Sequence, residues 1–499
     1  MKQMKRKSES MTEPTPTLVL TPDEEKLFAF LLDVDKQKAA GLTLRVAGGW
    51  VRDKLLGRSS DDIDIVLDTM TGAAFAELVN TYEVQHGHAT HTVGIIKANP
   101  EQSKHLETAT MQLGSGWIDF VNLRAETYAD NEAHRIPSME FGSPLQDAER
   151  RDFTINSLFY NLNTRSVEDY TAQGLKDLAD GIVRTPLEPR VTFLDDPLRI
   201  LRAVRFAARF QFELEASLCA ALRLPEVKDA LLKKVSRERV GKELSGMLAG
   251  TSAHPDRALA LLAEFGLLEC VFALPTPCLT TALEPATLPP ETWPQALACA
   301  LAMHRLLHAR SPANVNTGAL DDAGLNRFKI EILAATLLPL APFVTLQKKK
   351  TVAAPYWIIR DGLKLRAKDA EDVANVVHKT VDRFRGVELD RVAVGLLLRD
   401  VGDLWGVCAD VAFVYDTILA GAPVAATEAK YAALRAFVAD VGLDRVWELK
   451  PILDGKELMT LLSLPPGPGV RVMSAKVVEY QLAHPAGTRD ECLAHLRSL

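Results

Sequence analysis

Apolar and polar positions alternate in short bursts through the first 190 or so residues and then settle into longer helical spacing. Between 42 and 184 the runs "LTLRVA", "DIDIVL", "VGIIKA", "WIDFVNL", "LFYNL" and "GIVRT" have strand-like length and content, and helical segments separate them. They predict a small sheet with helices. Between 125 and 144 the chain turns polar without a clear period, which predicts a mobile loop. From Asp195 onward helical spacing dominates, punctuated by Gly and Pro clusters. The fold class is therefore α+β, an N-terminal head with a small mixed sheet followed by all-α regions. The Pro- and Thr-rich stretch 274–294 and the lysine run near 347–355 mark boundaries, and "LPPGPGVRV" predicts a tight turn before the helix-like "SAKVVEYQLAH". No repeat of solenoid length is present.

One strand carries an unusual pattern. Ile63 and Ile65 point to one face and Asp62 and Asp64 to the other, because successive side chains alternate. At roughly 7 Å, two strand steps, and an effective dielectric near 20, the two charges repel by about 2 kcal/mol before any desolvation. A solvated edge strand and a bound cation each account for the pair. Upstream, "LTLRVA" is a strand, Gly48-Gly49 a tight turn, and "WVRDKLL" a helix closed by Gly57. Strand, Gly-Gly and helix form a phosphate cradle, with Arg52 adding charge from the first turn; an ordinary glycine turn is the plainer alternative. In "GWIDFVNLR" Asp119 lies between Ile118 and Phe120, where an unpaired charge is costly. Three carboxylates on adjacent strands beside a phosphate-binding turn suit two-metal nucleotidyl transfer, and hard oxygen ligands with bound phosphate favour Mg²⁺.

Composition narrows the setting. At 499 residues, 47% hydrophobic and 25% charged, the chain has a globular composition too long for one core, and no apolar stretch is long enough to span a bilayer. The net charge of −7 argues against indiscriminate nucleic-acid binding but leaves room for a local basic groove. Cys219, Cys270, Cys278, Cys299, Cys408 and Cys492 are scattered without a Cys-x-x-Cys pair and read as reduced core residues of an intracellular protein. The start "MKQMKRKSES" is basic without a secretory apolar core, and Met4 and Met11 are candidate alternative starts, so the expected destination is cytoplasm, nucleus and/or mitochondrion.

With Gly-Gly before a strand Asp-x-Asp, the chain resembles the DNA polymerase β nucleotidyltransferase superfamily. "GGWVRD", "DDIDIVL", "NPEQSKHLETA", "RRDFTINSLFYN", "DYTAQGLKDL" and "DDPLRILRAVRFAARF" together resemble the eukaryotic-type class II tRNA nucleotidyltransferases, the CCA-adding enzymes. The likeness runs from about 46 to 248, and "KKKTVAAPYWIIRDGLKLRAKDAE" and "DGKELMTLL" extend it weakly. It implies a flexible segment at 1–20, a catalytic head at 21–190, a helical neck at 191–272, a helical body at 273–346 and a tRNA-binding tail at 347–499. It implies that the 3′-terminal CCA of tRNA is added or repaired from CTP and ATP with two Mg²⁺ ions and no nucleic-acid template. The partners are then tRNA and the two nucleotides, without DNA or membrane. A poly(A) polymerase, a CC- or A-adding enzyme of the same fold, and a non-catalytic tRNA-binding protein are the alternatives.

By the same resemblance Asp62, Asp64 and Asp119 are the catalytic, metal-binding carboxylates, and Asp61 is an extra acid without a place in the pattern. Gly48, Gly49, Arg52, Arg151, Asp152, Asn156, Asp196, Arg199, Arg202 and Arg205 fall on nucleotide-binding positions. "ERRDFTIN" would recognise triphosphate through Arg150 and Arg151 and ribose through Asp152; by itself it reads as a helix cap with surface charges. "DYTAQGLKDL" would be a hinge. Asp196 and Arg199, three apart at a helix start led by Pro197, read alone as a capping pair. Side by side, however, a carboxylate acceptor and a guanidinium donor match the amine and ring nitrogen that cytosine and adenine share, while uracil and guanine present the reverse order. The family motif matching Asp195, Asp196 and Arg199 selects bases this way, and Arg202, Arg205 and Arg209 extend the basic side of that helix. Ser236 is expected to cap a buttressing helix.

Other clusters carry less. His86, His88 and His91 in "HGHATH" lack structural zinc spacing, and His304 and His308 in "HRLLH" lack the glutamate of a zinc hydrolase. Lys348, Lys349 and Lys350 alone would be a solvated face, but beside an RNA-dependent enzyme they are expected to bind tRNA phosphates.

Overall fold

The computed structural model describes residues 16–60, 62–96, 108–114, 116–127, 138–250, 252–274, 278–281, 283–310, 320–347 and 350–499. The chain divides into two compact units, 1–230 and 231–499, a divide that falls within the stretch read above as a neck.

The first unit is built on a seven-stranded sheet in the order β3-β4-β5-β2-β1-β8-β9. Its strands are β1 (Leu44–Ala47), β2 (Ile63–Leu67), β3 (Val93–Ile96), β4 (Thr108–Leu113), β5 (Gly116–Asn122), β8 (Phe159–Asn161) and β9 (Ser166–Glu168). Only β2 and β5 run parallel, joined by a crossover that includes the helix Gly72–Gln85; the other neighbours are antiparallel. On one face Ile63, Ile65, Ile118 and Phe120 are buried. Phe75 of the crossover helix meets the Phe120 ring edge-on at 5.3 Å. That helix approaches β5 so closely that a Cβ on Gly72 would lie 2.1 Å from the Phe120 carbonyl oxygen, so only glycine fits there. The apolar face thus pins β2 to β5, and a one-residue slip would turn the carboxylates inward.

The first helix, Pro22–Gln37, is closed by a Thr21–Glu24 capping box. Glu24 also accepts from Trp50 Nε1 at 3.1 Å and pairs with Lys54 at 2.6 Å, which ties this helix to the helix Gly49–Leu55 after the glycine turn.

Five of the six strand-like runs form this sheet. The sixth, "GIVRT", contributes β10 (Ile182–Val183), which pairs in parallel with β11 (Glu213–Leu214) in a separate ribbon. The loop expected at 125–144 is corrected at both ends: β6 (Arg124–Thr127) pairs antiparallel with β7 (Ser138–Phe141), and the helix Pro144–Glu149 follows. Backbone pairing there wins over an aperiodic, polar side-chain pattern; 128–137 lie outside the described residues.

The second unit is mostly helical. Its exception is a three-stranded sheet of β12 (Cys278–Thr280), β13 (Phe343–Gln347) and β14 (Lys350–Ala353), so both expected boundaries contain paired strands. Ser236 does cap the helix Arg237–Ala249. Within this unit Asp369 is fully buried and held by Lys329 and Arg366, each at 2.7 Å. All six cysteines are free thiols, four of them buried, and among the described residues no helix is long and apolar enough to cross a membrane.

Gly72→Ala is expected to destabilise the chain by about 1–3 kcal/mol through overpacking against β5. Thermal unfolding of the whole chain checks this, and an unchanged midpoint would contradict the close packing.

Candidate active site

The β2–β5 ladder places Asp64 opposite Asp119, in register on parallel strands and on one face. Asp62 precedes β2 by one residue, shares that face by alternation, and is exposed. Thr110 of β4 lies opposite Asp119 and donates its hydroxyl to Asp119 Oδ1 at 2.6 Å. Burial raises the Asp64 pKa, the Asp62 and Asp119 charges add to the rise, and Arg151 and Arg124 oppose it; the balance is a carboxyl pushed up to about 6. A cavity of about 260 Å³ opens over this face, lined among others by Asp64, Asp119, Arg124, Asp147, Arg150 and Arg151.

Among the described residues no three acidic, histidine or cysteine side chains converge closely enough to hold a metal ion by themselves. Asp64 and Asp119 nonetheless fit Mg²⁺ by donor chemistry. That ion is commonly held by one or two carboxylates with phosphate oxygens and water completing an octahedron.

Two of the cavity's arginines, Arg150 and Arg151, are held from behind. The helix Pro144–Glu149, with a Ser143–Gln146 capping box, carries the fully buried Asp147. Asp147 Oδ1 accepts from Arg150 Nε at 2.8 Å, and Oδ2 accepts from Arg151 Nε at 3.0 Å and Nη2 at 2.8 Å. Burial opposes ionisation of Asp147, but the charges of Arg151 and Arg150 override it and hold the carboxyl below the ordinary value. Arg151 Nη1 reaches the glycine turn: it donates to the Asn156 carbonyl at 3.4 Å, and a Cβ on Gly48 would lie 2.8 Å from it. Gly48 has φ +73°, so both its conformation and its lack of a side chain are used. The turn therefore stands against a guanidinium, with Gly49 behind it, 3.6 Å from Arg52 Nη2 by the same measure.

Arg52, Asp152 and Asn156 take places unlike those expected. Arg52 is buried rather than standing at the cradle mouth: it bonds Asp53 Oδ1 at 2.9 Å and Asn156 Oδ1, and lies over the Phe206 and Phe210 rings at 5.2 and 4.7 Å. The aromatic faces and Asp53 outcompete solvent for this cation. Asp152 is likewise turned inward. It accepts from Asn156 Nδ2 at 3.0 Å, the Phe153 amide at 2.9 Å and Arg202 Nε at 2.7 Å. Burial opposes its charge, but Arg202 and Asn156 bring its pKa down to about 2. These residues join the turn to the helix Leu198–Phe210, and a ribose hydroxyl would have to compete with partners already in place.

Asp196 and Arg199 stand where the helices Pro189–Asp195 and Leu198–Phe210 meet, both half-buried, while Asp195 is exposed. Asp196 Oδ1 accepts from the Leu198 amide at 3.2 Å, a bond across Pro197 to the first residue of the helix. Arg199 donates to the Arg150 carbonyl, which anchors the helix start to the arginine wall. Arg205 lies 4.4 Å from the Phe206 ring centroid and Arg209 5.1 Å from that of Phe210.

The discounted clusters stay peripheral. His88 and His91 both face Glu83, at 2.6 and 3.6 Å, and His304 is buried 3.8 Å from Asp256. Lys350 is exposed at the start of β14; Asp61, Lys348 and Lys349 lie outside the described residues. Thr110, Arg124 and Asp147 are site residues that sequence reasoning missed. For Asp147 a signal exists, since it precedes Arg150 and Arg151 by three and four positions on one helical surface.

Comparison with known proteins bears on this geometry. Residues 44–184 match the family described as the Poly A polymerase head domain, and residues 211–282 match the probable RNA and SrmB-binding site of polymerase A. The chain is 35% identical to the tRNA nucleotidyltransferase cca2 of Schizosaccharomyces pombe, over 97% of this chain and 99% of that protein. It is also 35% identical to the mitochondrial CCA tRNA nucleotidyltransferase of Saccharomyces cerevisiae, over 97% and 94%. Among solved structures, the Thermotoga maritima CCA-adding enzyme complexed with tRNA is similar in fold, with TM-score 0.61, 20% identity and 96% of each chain covered. A CCA-adding enzyme in complex with CTP gives TM-score 0.62 at 19% identity, again with 96% of each chain covered.

Two of the shifted aspartates, Asp64 and Asp152, predict opposite pH dependences. In the metal-free chain Asp64 holds its proton up to about 6, against an ordinary 3.8, so the folded state binds more protons and stability falls as the pH rises through this window. Asp152, held down to about 2, contributes stability that is present above its ordinary value and lost as the pH falls toward 2. Asp64→Asn in EDTA is expected to raise stability at pH 7 by about 1–3 kcal/mol and to have little effect near pH 4. Denaturant unfolding at the two pH values measures this; equal effects at both would contradict the shift.

Proposed function

The chain belongs to the CCA-adding tRNA nucleotidyltransferases, and on that premise we propose how its own residues carry the reaction. The observation that supports the reading most is the in-register Asp64–Asp119 pair beside a cavity walled by Arg124, Arg150 and Arg151. Carboxylates on one side and guanidiniums on the other suit a nucleoside triphosphate chelated by cations. Asp62, Asp64 and Asp119 would hold two magnesium ions, which when bound supply charge neutralisation and a more acidic attacking hydroxyl.

The tRNA 3′ oxygen bonds to the α-phosphorus of CTP or ATP, the bond to the bridging oxygen breaks, and pyrophosphate leaves. Arg151, held at Gly48, and Arg150 are placed to take the phosphate charge, and their anchorage on Asp147 spares reorganisation during transfer. Asp152, Asn156 and Arg52 act here as positioning residues, fixing the arginine-rich helix against the glycine turn. Asp196 and Arg199 read the base: Asp196 accepts from the exocyclic amine and Arg199 donates to the ring nitrogen. Asp196 must then release the Leu198 amide and Arg199 the Arg150 carbonyl, at least in part. Gly49, Arg202 and Arg205 complete the nucleotide-binding set, and the helical second unit, with Lys348, Lys349 and Lys350, takes the tRNA body. A mitochondrial pool of the protein is proposed by analogy with the Saccharomyces cerevisiae relative.

Incubation with tRNA lacking its last three nucleotides, with CTP and ATP supplied singly and together and the 3′ ends sequenced, tests the reading. CCA and no further addition is expected; a long adenosine tail, or addition of only C or only A, would replace this reading with one of the alternatives. Asp64→Asn should abolish incorporation of both nucleotides with tRNA affinity nearly intact, and near wild-type turnover in saturating Mg²⁺ would remove it from catalysis. Asp196→Ala should lose about 1–3 kcal/mol of discrimination, raising use of UTP or GTP relative to CTP and ATP. An unchanged preference in kcat/KM across the four triphosphates would return Asp196 to a capping role.

A further inference from the structure

Trp117 is the one tryptophan among the large, strongly exposed hydrophobic residues of the described chain, 59% exposed on an inner strand of the seven-stranded sheet. Its position in β5 is informative. Two residues before Asp119 and alternating with buried Ile118, it belongs to the face that carries the carboxylates. Continuing the Ile63–Ile118 register by one step sets it beside Asp62, and on its other side its partner in β4 is Gln112. Both neighbours are exposed and polar, and among the described residues no aromatic ring or cation packs on the indole. An isolated exposed apolar side chain is ordinary on a protein surface. This one lies about 7 Å, two strand steps, from a carboxylate of the reaction centre.

Resting on the function proposed above, we infer that Trp117 is a positioning residue: its indole is a platform on which a base at the 3′ end of the tRNA stacks, placing the terminal hydroxyl over Asp62, Asp64 and Asp119. Any base offers a face to an aromatic ring, so such a platform tolerates the change of terminal nucleotide as the end grows. It suits an enzyme whose primer end changes with each addition. The surroundings favour RNA on this face. Trp117 also borders a cavity of about 880 Å³ under the first helix, where Asp23, Glu24 and Glu83 are paired with Lys26, Lys54 and His91, so its cations are already engaged and offer phosphates little. On the carboxylate face the cavity over Asp64 and Asp119 presents Arg124, Arg150 and Arg151 to the backbone.

The test compares wild type, Trp117→Ala and Trp117→Phe on tRNA lacking its last three nucleotides. Trp117→Ala should raise KM for tRNA roughly 5- to 150-fold, with kcat and KM for CTP within about twofold, and Trp117→Phe should restore most of the loss. The same tRNA should quench wild-type tryptophan emission by a component that Trp117→Phe lacks. The quench requires binding alone, so it judges the stacking even if wild-type turnover fails and takes the functional reading with it. An unchanged KM for tRNA in Trp117→Ala, a rise confined to KM for CTP, or an identical quench in Trp117→Phe would each overturn the inference.

Discussion

The head is organised around a repulsion. Asp64 and Asp119 are paired across two hydrogen-bonded parallel strands, with Asp62 two residues before Asp64 on the same face, and three acids so placed repel one another. What holds them is the other face of the same strands, where Ile63, Ile65, Ile118 and Phe120 are buried and the crossover helix sits against Phe120 at a glycine. Hydrophobic burial on one side thus offsets electrostatic strain on the other, and because strand side chains alternate the two cannot be separated. A site of this kind is preorganised for cations and phosphates.

The guanidiniums answer the carboxylates without collapsing onto them. Were Arg150 and Arg151 free to swing, they would pair with Asp64 and Asp119 and close the cavity; Asp147, fully buried, holds both by two or more contacts each. A second buried acid, Asp152, does the same for Arg202 and links the turn to the following helix. Each of these acids has its pKa driven down, whereas Asp64 has its pKa driven up. The contrast separates carboxylates that are satisfied by the fold from one that lacks a sufficient counter-charge.

Much of this was legible in the sequence, for physical reasons. Asp62, Asp64 and Asp119 stood out because their charges interrupt otherwise apolar strands, and Gly48 because it stands in a turn between strand and helix. The inward roles of Arg52 and Asp152 were not legible. A motif shows which residue types occur together but not which of their atoms face the ligand, and here Phe206, Phe210 and Arg202 claim them from a helix some 50 residues or more downstream. The pairing of β6 with β7 was hidden because "RAET" and "SMEF" are four-residue runs inside a largely polar stretch, and backbone hydrogen bonds leave no mark on composition. Trp117 was visible as a strand residue only; its exposure beside the acids needed the register of β5 on β2 and β4.

The carboxyl titration of Asp64, followed by carbon-13 NMR as the difference between wild type and Asp64→Asn, tests the stored repulsion most directly. In the metal-free chain the midpoint should lie near 6, and with Mg²⁺ and CTP together it should fall below the ordinary aspartate range. An ordinary midpoint without metal, or one that Mg²⁺ and CTP leave unmoved, would contradict the claim that these strands hold their charges in readiness for a cation.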